Sequence, residues 1–513
     1  MRDDLTTASR WCAATFLGAV AGLAAADWPS DPASPLVLGE MLGARSHVMA
    51  TTPDGATWVA WVDGECFGTL RLQRIDVDGT VLDPEGLALD TRDDCVSRDA
   101  RLAACPDGSV VVTGTAVGGS SPDSPIHRIG PDGAPIWTAG VVLPGIGGAA
   151  EQMLGLAGGD ALVAWHVGMV IFVQRYAPDG SPVWDAPAEI ITTTGPNKRI
   201  FGLEPDGADG AFVAWDNPLT YTRLISAARV GADGAVVFGQ QQIAPPNPGS
   251  SRHTDPVAIA DHAGGVTIVW TQSAESATTP VPLRMQHLLA DGTPTLDADG
   301  ARISLDSARQ YHAVVGRDAT TGDLFVVWRD GGFAGQTVRA QRLGPGASRL
   351  WGDGGIAVAP IAIGGAGRFD ASWSMETLSV VAVDPVDPGD ASVRVYRIDA
   401  GGGLDPAVVA ASDTTMTGGV RASATEAALV TTWVRGPVNG ATVVAQSVNP
   451  DGTLGGVPDV FGDLTGDGAV NAADLAVLLA SWGRCAAPCV ADLNGDGAVG
   501  PNDLGALLGA WTG

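Results

Sequence analysis

The chain has 513 residues, too many for one compact core unless the fold is a barrel, a propeller or a repeat array. Its formal net charge of -28 repels phosphate backbones and anionic lipid, which excludes nucleic acid and membrane surfaces as natural partners. Of 29 basic residues Lys198 is the sole lysine, which removes almost every candidate for lysine-based nucleophilic chemistry.

Residues 1–26 read as an export signal. Arg2 and Arg10 precede or open the apolar run "WCAATFLGAVAGLAAA", and small residues at Ala24 and Ala26 suit cleavage before Asp27. Asp3 and Asp4 are unusual in such a segment, and an uncleaved signal anchor is the alternative. No later stretch is long and apolar enough to span a bilayer. The expected location is therefore extracellular or cell-surface, where paired thiols become disulfides. Cys12 leaves with the signal, and Cys66, Cys95, Cys105, Cys485 and Cys489 remain.

Residues 27–457 repeat one unit. An alternating strand is followed by a second ending in a Val-Ala-Trp-like triplet, a third containing "QR", an Asp-Gly turn and a fourth short apolar strand. The tryptophan falls at Trp61, Trp165, Trp215, Trp270, Trp328 and Trp433, with Thr113 and Ala382 at the two remaining places. Turns recur in "LQRIDVDG", "IHRIGPDG", "VQRYAPDG", "AARVGADG", "MQHLLADG" and "AQSVNPDG". Asp-Gly suits a tight hairpin in which both central residues take positive φ. Arg74, Arg128, Arg175, Arg229, Arg342 and Arg397 hold one position of the third strand, and such regular repetition indicates structural contacts rather than a site.

Four strands in each unit of about 53 residues, without helical periodicity, predict an all-β fold: an eight-bladed β-propeller of four-stranded blades. Seven blades is the alternative count, and an open β-solenoid or a row of sandwiches the alternative architecture. The segment "SPLVLGEM" from Ser34 resembles the fourth strands "EGLALD" and "GGIAVAP", so an N-terminal strand is expected to complete the last blade and leave no open edge. In such a meander Cys66 and Cys95 emerge in loops on one face and form the plausible disulfide, leaving Cys105 as a buried or lone thiol.

No catalytic motif is found in the body: no G-x-S-x-G elbow, H-E-x-x-H, P-loop or dinucleotide fingerprint. The histidines lack the spacing of a zinc site. Strand starts carry His47, Asp99, Gln152, Arg199, Asp255, His312, Asp370 and Arg421, which would ring one mouth of a central channel. Such a ring could bind a glycan or a cation or perform acid-base chemistry, against the plainer account that strand starts are polar because they meet water.

Residues 458–513 carry a different signature, "DLTGDGAVNAADLAVLLASWG" followed by "DLNGDGAVGPNDLGALLGAW", 29 residues apart. A calcium loop supplies oxygens from positions 1, 3 and 5, a carbonyl at 7, position 9 often through water and a carboxylate at 12, with glycine at 6. The first copy places Asp463, Thr465, Asp467, the Ala469 carbonyl, Asn471 and Asp474 there, with Gly468 at the turn. The second places Asp492, Asn494, Asp496, the Ala498 carbonyl, Gly500 and Asp503, with Gly497 at the turn. Each loop precedes a short helix whose Leu475, Leu478, Leu479 and Trp482, or Leu504, Leu507, Leu508 and Trp511, are expected on one shared face. Cys485 and Cys489 in the linker are expected to form a small disulfide.

These motifs resemble the type I dockerin, and more closely the dockerin-like C-terminal domains with a Gly-Cys-type linker of planctomycete-like bacteria. The resemblance implies a small α-helical domain folded around two calcium ions and bound to a cohesin-like or other surface protein. At the positions often used for partner recognition the chain has Ala472 and Ala473, then Pro501 and Asn502, which puts a familiar cohesin in doubt. The expected function is that of a displayed binding or interaction protein. The alternatives are a carbohydrate-active hydrolase or lyase acting on a polysaccharide, and a structural surface protein.

Overall fold

The computed structural model describes residues 28–511 except 43–46, 65–67, 92–97, 117–124, 139, 142, 144–149, 194–197, 219–222, 244–251, 274–280, 307–308, 333–334, 362–368, 375–376, 386–390, 413–415, 426–427, 437–438, 456–461, 465–469, 485–488, 490 and 495–496. The expected Cys66–Cys95 disulfide and the export signal lie outside these residues.

Eight antiparallel sheets form a β-propeller, each blade running from an inner strand A to an outer strand D. Blade 1 shows the plan, with A at Val48–Thr51, B at Thr57–Asp63, C at Thr69–Ile75 and D at Leu87–Thr91. Blade 2 has three described strands, extended by an Ile126–Val141 bridge. Blade 6 pairs a further strand, Ile356–Ile361, with its strand C. Strand B is apolar along nearly its whole length because blades cover both of its faces, as in the run from Thr57 to Val62.

Closure follows the expected route. The N-terminal strand Leu36–Leu42 pairs antiparallel with Asn439–Val448 as strand D of blade 8, with Leu36 opposite Ala445. Trp28 then reaches over blade 1 and donates its indole N–H to the Val77 carbonyl at 2.9 Å.

The repeated tryptophans are fully buried, each against the preceding blade: Trp215 among Leu162, Ile171 and Trp184, and Trp328 among Val269, Leu283 and Ile303. Where the repeat lacks its tryptophan, another ring fills the gap. In blade 2 the pairing of Val111 with Arg128, like that of Trp58 with Arg74 in blade 1, puts Gly114 rather than the expected Thr113 at the tryptophan position, and the adjacent Val110 and Val112 pack against Trp58 of blade 1. In blade 7 the cluster around Ala382 is filled by Trp351, Phe325 and the adjoining Trp373. Glycine opens strand D where backbone and ring leave no room: a Cβ on Gly300 or Gly355 would stand 2.4 Å from the Met285 or Ala340 carbonyl oxygen and 2.7 Å from Trp270 or 2.9 Å from Trp328, and both have φ of +69°.

One turn expectation is corrected. In "LQRIDVDG" the Gly79 N–H bonds to the Asp76 carbonyl at 2.9 Å, so Val77 and Asp78 are the central residues. Gly79 alone takes positive φ, +88°. Asp78 stays right-handed and accepts the Thr80 N–H at 2.8 Å. The loop is therefore a three-residue hairpin with a left-handed glycine, not a two-residue Asp-Gly turn.

The repeated arginines make the expected structural contacts. Strand C arginines pair with an aspartate of the A–B turn in their own blade: Arg74 with Asp54, Arg128 with Asp107, Arg175 with Asp160, Arg229 with Asp206 and Arg342 with Asp323, at 2.6–2.9 Å. Arg229 and Arg342 also donate to carbonyls of the next blade, Ala290 at 2.9 Å and Ala400 at 2.8 Å. The neighbouring buried glutamines have an equally regular task that spacing alone did not assign. Gln341 donates to the Gly352 carbonyl at 2.6 Å and accepts the Trp351 N–H at 3.0 Å, fixing the path from strand C to strand D.

Beyond the propeller, α1 (Ala472–Ala480) and α2 (Pro501–Gly509) share a small core of Val470, Leu478, Ala491, Val499 and Leu507. The single apolar face expected for each helix divides. Leu478 and Leu507 are fully buried, whereas Leu479 and Leu508 are each 52 % exposed and Trp482 and Trp511 point outward with them. Each nine-residue helix has only the other as a packing partner, so the part of its apolar surface turned away from that partner stays in contact with water. Among the described residues no helix is long and apolar enough to cross a membrane.

Candidate functional site at the channel mouth

The A strands of successive blades lie side by side around the central channel, and their polar side chains stitch one strand to the next. Glu151 accepts the Ile200 N–H at 2.8 Å, Glu204 the Ala260 N–H at 3.1 Å and Asp370 the Ala422 N–H at 3.1 Å. Arg421 closes the series by donating to the His47 carbonyl at 3.2 Å. Part of the polarity of strand starts is thus a structural requirement, because inner-strand amides facing a channel need acceptors.

At one mouth the strand starts enclose a cavity of about 400 Å³. Gln152, Arg199, Asp255, His312, Asp370 and Arg421 line it, six of the eight residues expected there. Asp99 is not among the lining residues. His47 turns inward instead: it is buried, bonds through Nε2 to the Thr432 hydroxyl at 2.7 Å, and is held near pKa 3 by burial and by Arg421. Among the further residues of the wall, the charged Arg101 and Glu151 and the aromatic Phe201 were not anticipated. Arg101 stands two residues beyond Asp99, on the same side of an alternating strand, so its position was available from period two.

Asp255 and His312 occupy equivalent places in blades 5 and 6, and both are left-handed, with φ of +50° and +51°. Each sits in a bulge, where the register slips between Thr254 and Val257 and between Tyr311 and Val314. The bulges turn the two side chains toward one another in the cavity wall, with His312 Nδ1 3.4 Å from an Asp255 oxygen. Left-handed backbone at non-glycine residues carries a cost that the surroundings must hold in place. Burial and Arg329 lower the His312 pKa while Asp255 opposes them. For Asp370, burial raises the pKa against Arg421 and two backbone N–H donors.

In the tail, Asp474 and Asp503 are fully buried and organise their loops. Asp474 accepts the Leu464 and Asn471 N–H groups, each at 2.8 Å, and Asp503 those of Asn494 at 3.0 Å and Gly500 at 2.7 Å. Asp492 accepts the Gly497 N–H at 2.7 Å, joining position 1 of the loop to position 6. Asn471 caps α1 by accepting the Ala473 N–H at 2.8 Å, so it spends its oxygen on the helix. Thr465, Asp467, Ala469 and Asp496 lie outside the described residues, and among those described no group of three His, Cys, Asp or Glu stands at metal-binding spacing. The donor set nevertheless suits a hard cation. Residues 458–513 hold seven aspartates and one arginine, and two of the carboxylates are shut away from water.

Cys105 is a free buried thiol whose pKa burial raises. Cys489 is disulfide-bonded to a partner outside the described residues, where Cys485 also falls.

No protein-family model matches the chain, and no curated protein matches it. Among solved structures it is similar to the polysaccharide lyase Uly1, with 10 % identity over 66 % of this chain and 88 % of that one and a TM-score of 0.42. It is similar to the BP39L lectin of Burkholderia pseudomallei, with 12 % identity over 73 % and 99 % and a TM-score of 0.47. A PL25 ulvan lyase gives 9 % identity over 83 % and 97 % and a TM-score of 0.42. Likeness at this level assigns no activity; the fold rests on the strand order above and the site on its own residues.

Proposed function

We propose that the chain is a displayed binding propeller. Its channel mouth takes a saccharide, and residues 458–513, a dockerin-like module folded around two calcium ions, attach it to a cohesin-like or other partner outside the cell. The ligand reading is carried by the composition of the mouth. Donors and acceptors of both signs stand beside the half-buried ring of Phe201 in a cavity of about 400 Å³, which suits a molecule built of hydroxyls and C–H faces. Titration of the full-length chain with a glycan panel should find a ligand whose affinity falls about tenfold or more in Asp255→Asn and His312→Gln. A panel without a binder sinks the reading.

The His312–Asp255 pair favours a second reading, a carbohydrate-active enzyme, because facing titratable groups can move a proton. Product release from a polysaccharide, lost in His312→Gln, would establish it; binding without release favours the lectin-like protein.

For the tail, calcium would supply the positive charge that the acidic loops lack. Asp463, Asp474, Asp492, Asn494, the Ala498 carbonyl and Asp503 would be ligands together with Thr465, Asp467, Ala469 and Asp496. Equilibrium dialysis with radioactive calcium should count two ions per chain, and none in the Asp474→Asn, Asp503→Asn double variant. An unchanged count removes the assignment. Pull-down from an envelope fraction, with calcium and with chelator, tests attachment separately.

A further inference from the structure

We infer that the saccharide at the channel mouth carries an oxyanion, a uronate carboxylate or a sulfate ester, received by Arg101 and Arg421. The inference rests on the saccharide reading above and sharpens it.

The five strand C arginines described above are spent on aspartates of their own blades at 2.6–2.9 Å. Arg101 and Arg421 are placed otherwise. Among the described residues neither has a carboxylate within ion-pair distance, and their hydrogen bonds go to neutral carbonyls. Arg101 donates to Ala100 at 3.2 Å, and Arg421 to Val420 and His47, each at 3.2 Å. Asp370 is close enough to influence Arg421 electrostatically, but its two oxygens receive the Ala371 and Ala422 N–H groups at 2.9 and 3.1 Å. Two guanidinium groups therefore face one cavity with donors to spare in a chain of net charge -28. Arg199 adds a third, held by Asp216 at 2.9 Å yet with its side chain 53 % exposed.

A planar guanidinium matches an oxyanion through paired N–H donors, and such charge-assisted bonds are the strong ones. Arg101 belongs to blade 2 and Arg421 to blade 8, across the ring from Asp255 and His312 in blades 5 and 6. A ligand that spans the mouth thus meets cationic donors on one side and hydroxyl-binding groups on the other. Neutral sugars would leave the guanidinium groups facing water, and a free inorganic anion would leave the Asp255–His312 side without a partner.

The test is binding of the full-length chain to oligomers of galacturonate, glucuronate and mannuronate, to their carboxyl-reduced counterparts, and to the reduced oligomers after sulfation. The uronate or sulfated forms should bind about tenfold to a hundredfold more tightly than the reduced ones. Arg101→Gln should abolish the preference while leaving any affinity for the reduced oligomers. That variant removes no hydrogen bond to another blade, and its melting curve verifies folding; Arg421→Gln, which loses the bond to His47, is the second variant. Equal binding of charged and reduced oligomers overturns the oxyanion inference and keeps the saccharide reading. Preference that survives both arginine substitutions overturns the assignment to these residues. If no oligomer binds in any form, the oxyanion inference falls, and the glycan panel decides the saccharide reading separately.

Discussion

The two ends of the propeller channel are built from the same strands yet follow different rules. At the end carrying the A–B and C–D turns, blade after blade repeats one arginine, one aspartate and one left-handed glycine. At the other end the strand starts differ from blade to blade: glutamine, arginine, aspartate, histidine, aspartate, arginine. Repetition there is broken even in the backbone, where Asp255 and His312 leave the ordinary strand region. A contact that recurs in most blades answers to the fold, whereas a position that varies while facing one cavity is free to answer to a ligand.

Three substitutions probe this contrast. The largest effect is expected from Arg229→Gln at the repetitive end. Its Nε and Nη2 reach one Asp206 oxygen at 3.0 and 2.8 Å, and its Nη1 reaches blade 5, so loss strands a buried carboxylate. Urea unfolding should show a loss of about 3 kcal/mol. A stability within experimental error of the parent would break the comparison.

Glu204 gives a pH-dependent test. Burial raises its pKa from 4.5 to about 7, with the Ala260 N–H as the opposing influence. A carboxyl raised on folding favours the fold in its neutral form. Its contribution is complete below pH 4.5 and disappears as pH climbs through 7. Glu204→Gln keeps an acceptor for Ala260 and should be more stable than the parent at pH 8 by up to roughly 3 kcal/mol. The two proteins should converge near pH 4.5; parallel curves across that window would refute the ionisation account.

The smallest stability effect belongs to Arg199→Gln at the variable end. Half of the arginine side chain meets water although Asp216 is buried, so the change should cost less than Arg229→Gln, about 1–2 kcal/mol, while altering ligand affinity. A large loss of stability would show that the mouth too is built for the fold.

Much of this architecture was legible because it is periodic. Trp61 to Trp433 marked the blades, and the likeness of "SPLVLGEM" to a fourth strand gave the closure that Leu36 and Ala445 make. Six mouth residues followed from counting strand starts. His47 escaped because the direction of a side chain at a strand start depends on its neighbours, here Thr432 from almost the other end of the chain. The bulges at Asp255 and His312 were hidden because aspartate and histidine, unlike glycine, do not advertise positive φ. In the tail, Leu479 and Leu508 have the same spacing as buried leucines; only the size of the available core decides which of them it covers.

Ring closure also sets a schedule for assembly. Strand Leu36–Leu42 is synthesised before every other described strand of the propeller, yet its partner, Asn439–Val448, is the last of them. Seven blades can form from neighbouring segments as they emerge, while the opening strand waits with its edge unpaired through the synthesis of some four hundred residues. Chain entropy makes that wait inexpensive, since each doubling of a loop adds only about 0.6 kcal/mol to its closure. Its hazard is the exposed edge: until blade 8 arrives, the strand is open to pairing with another copy of itself.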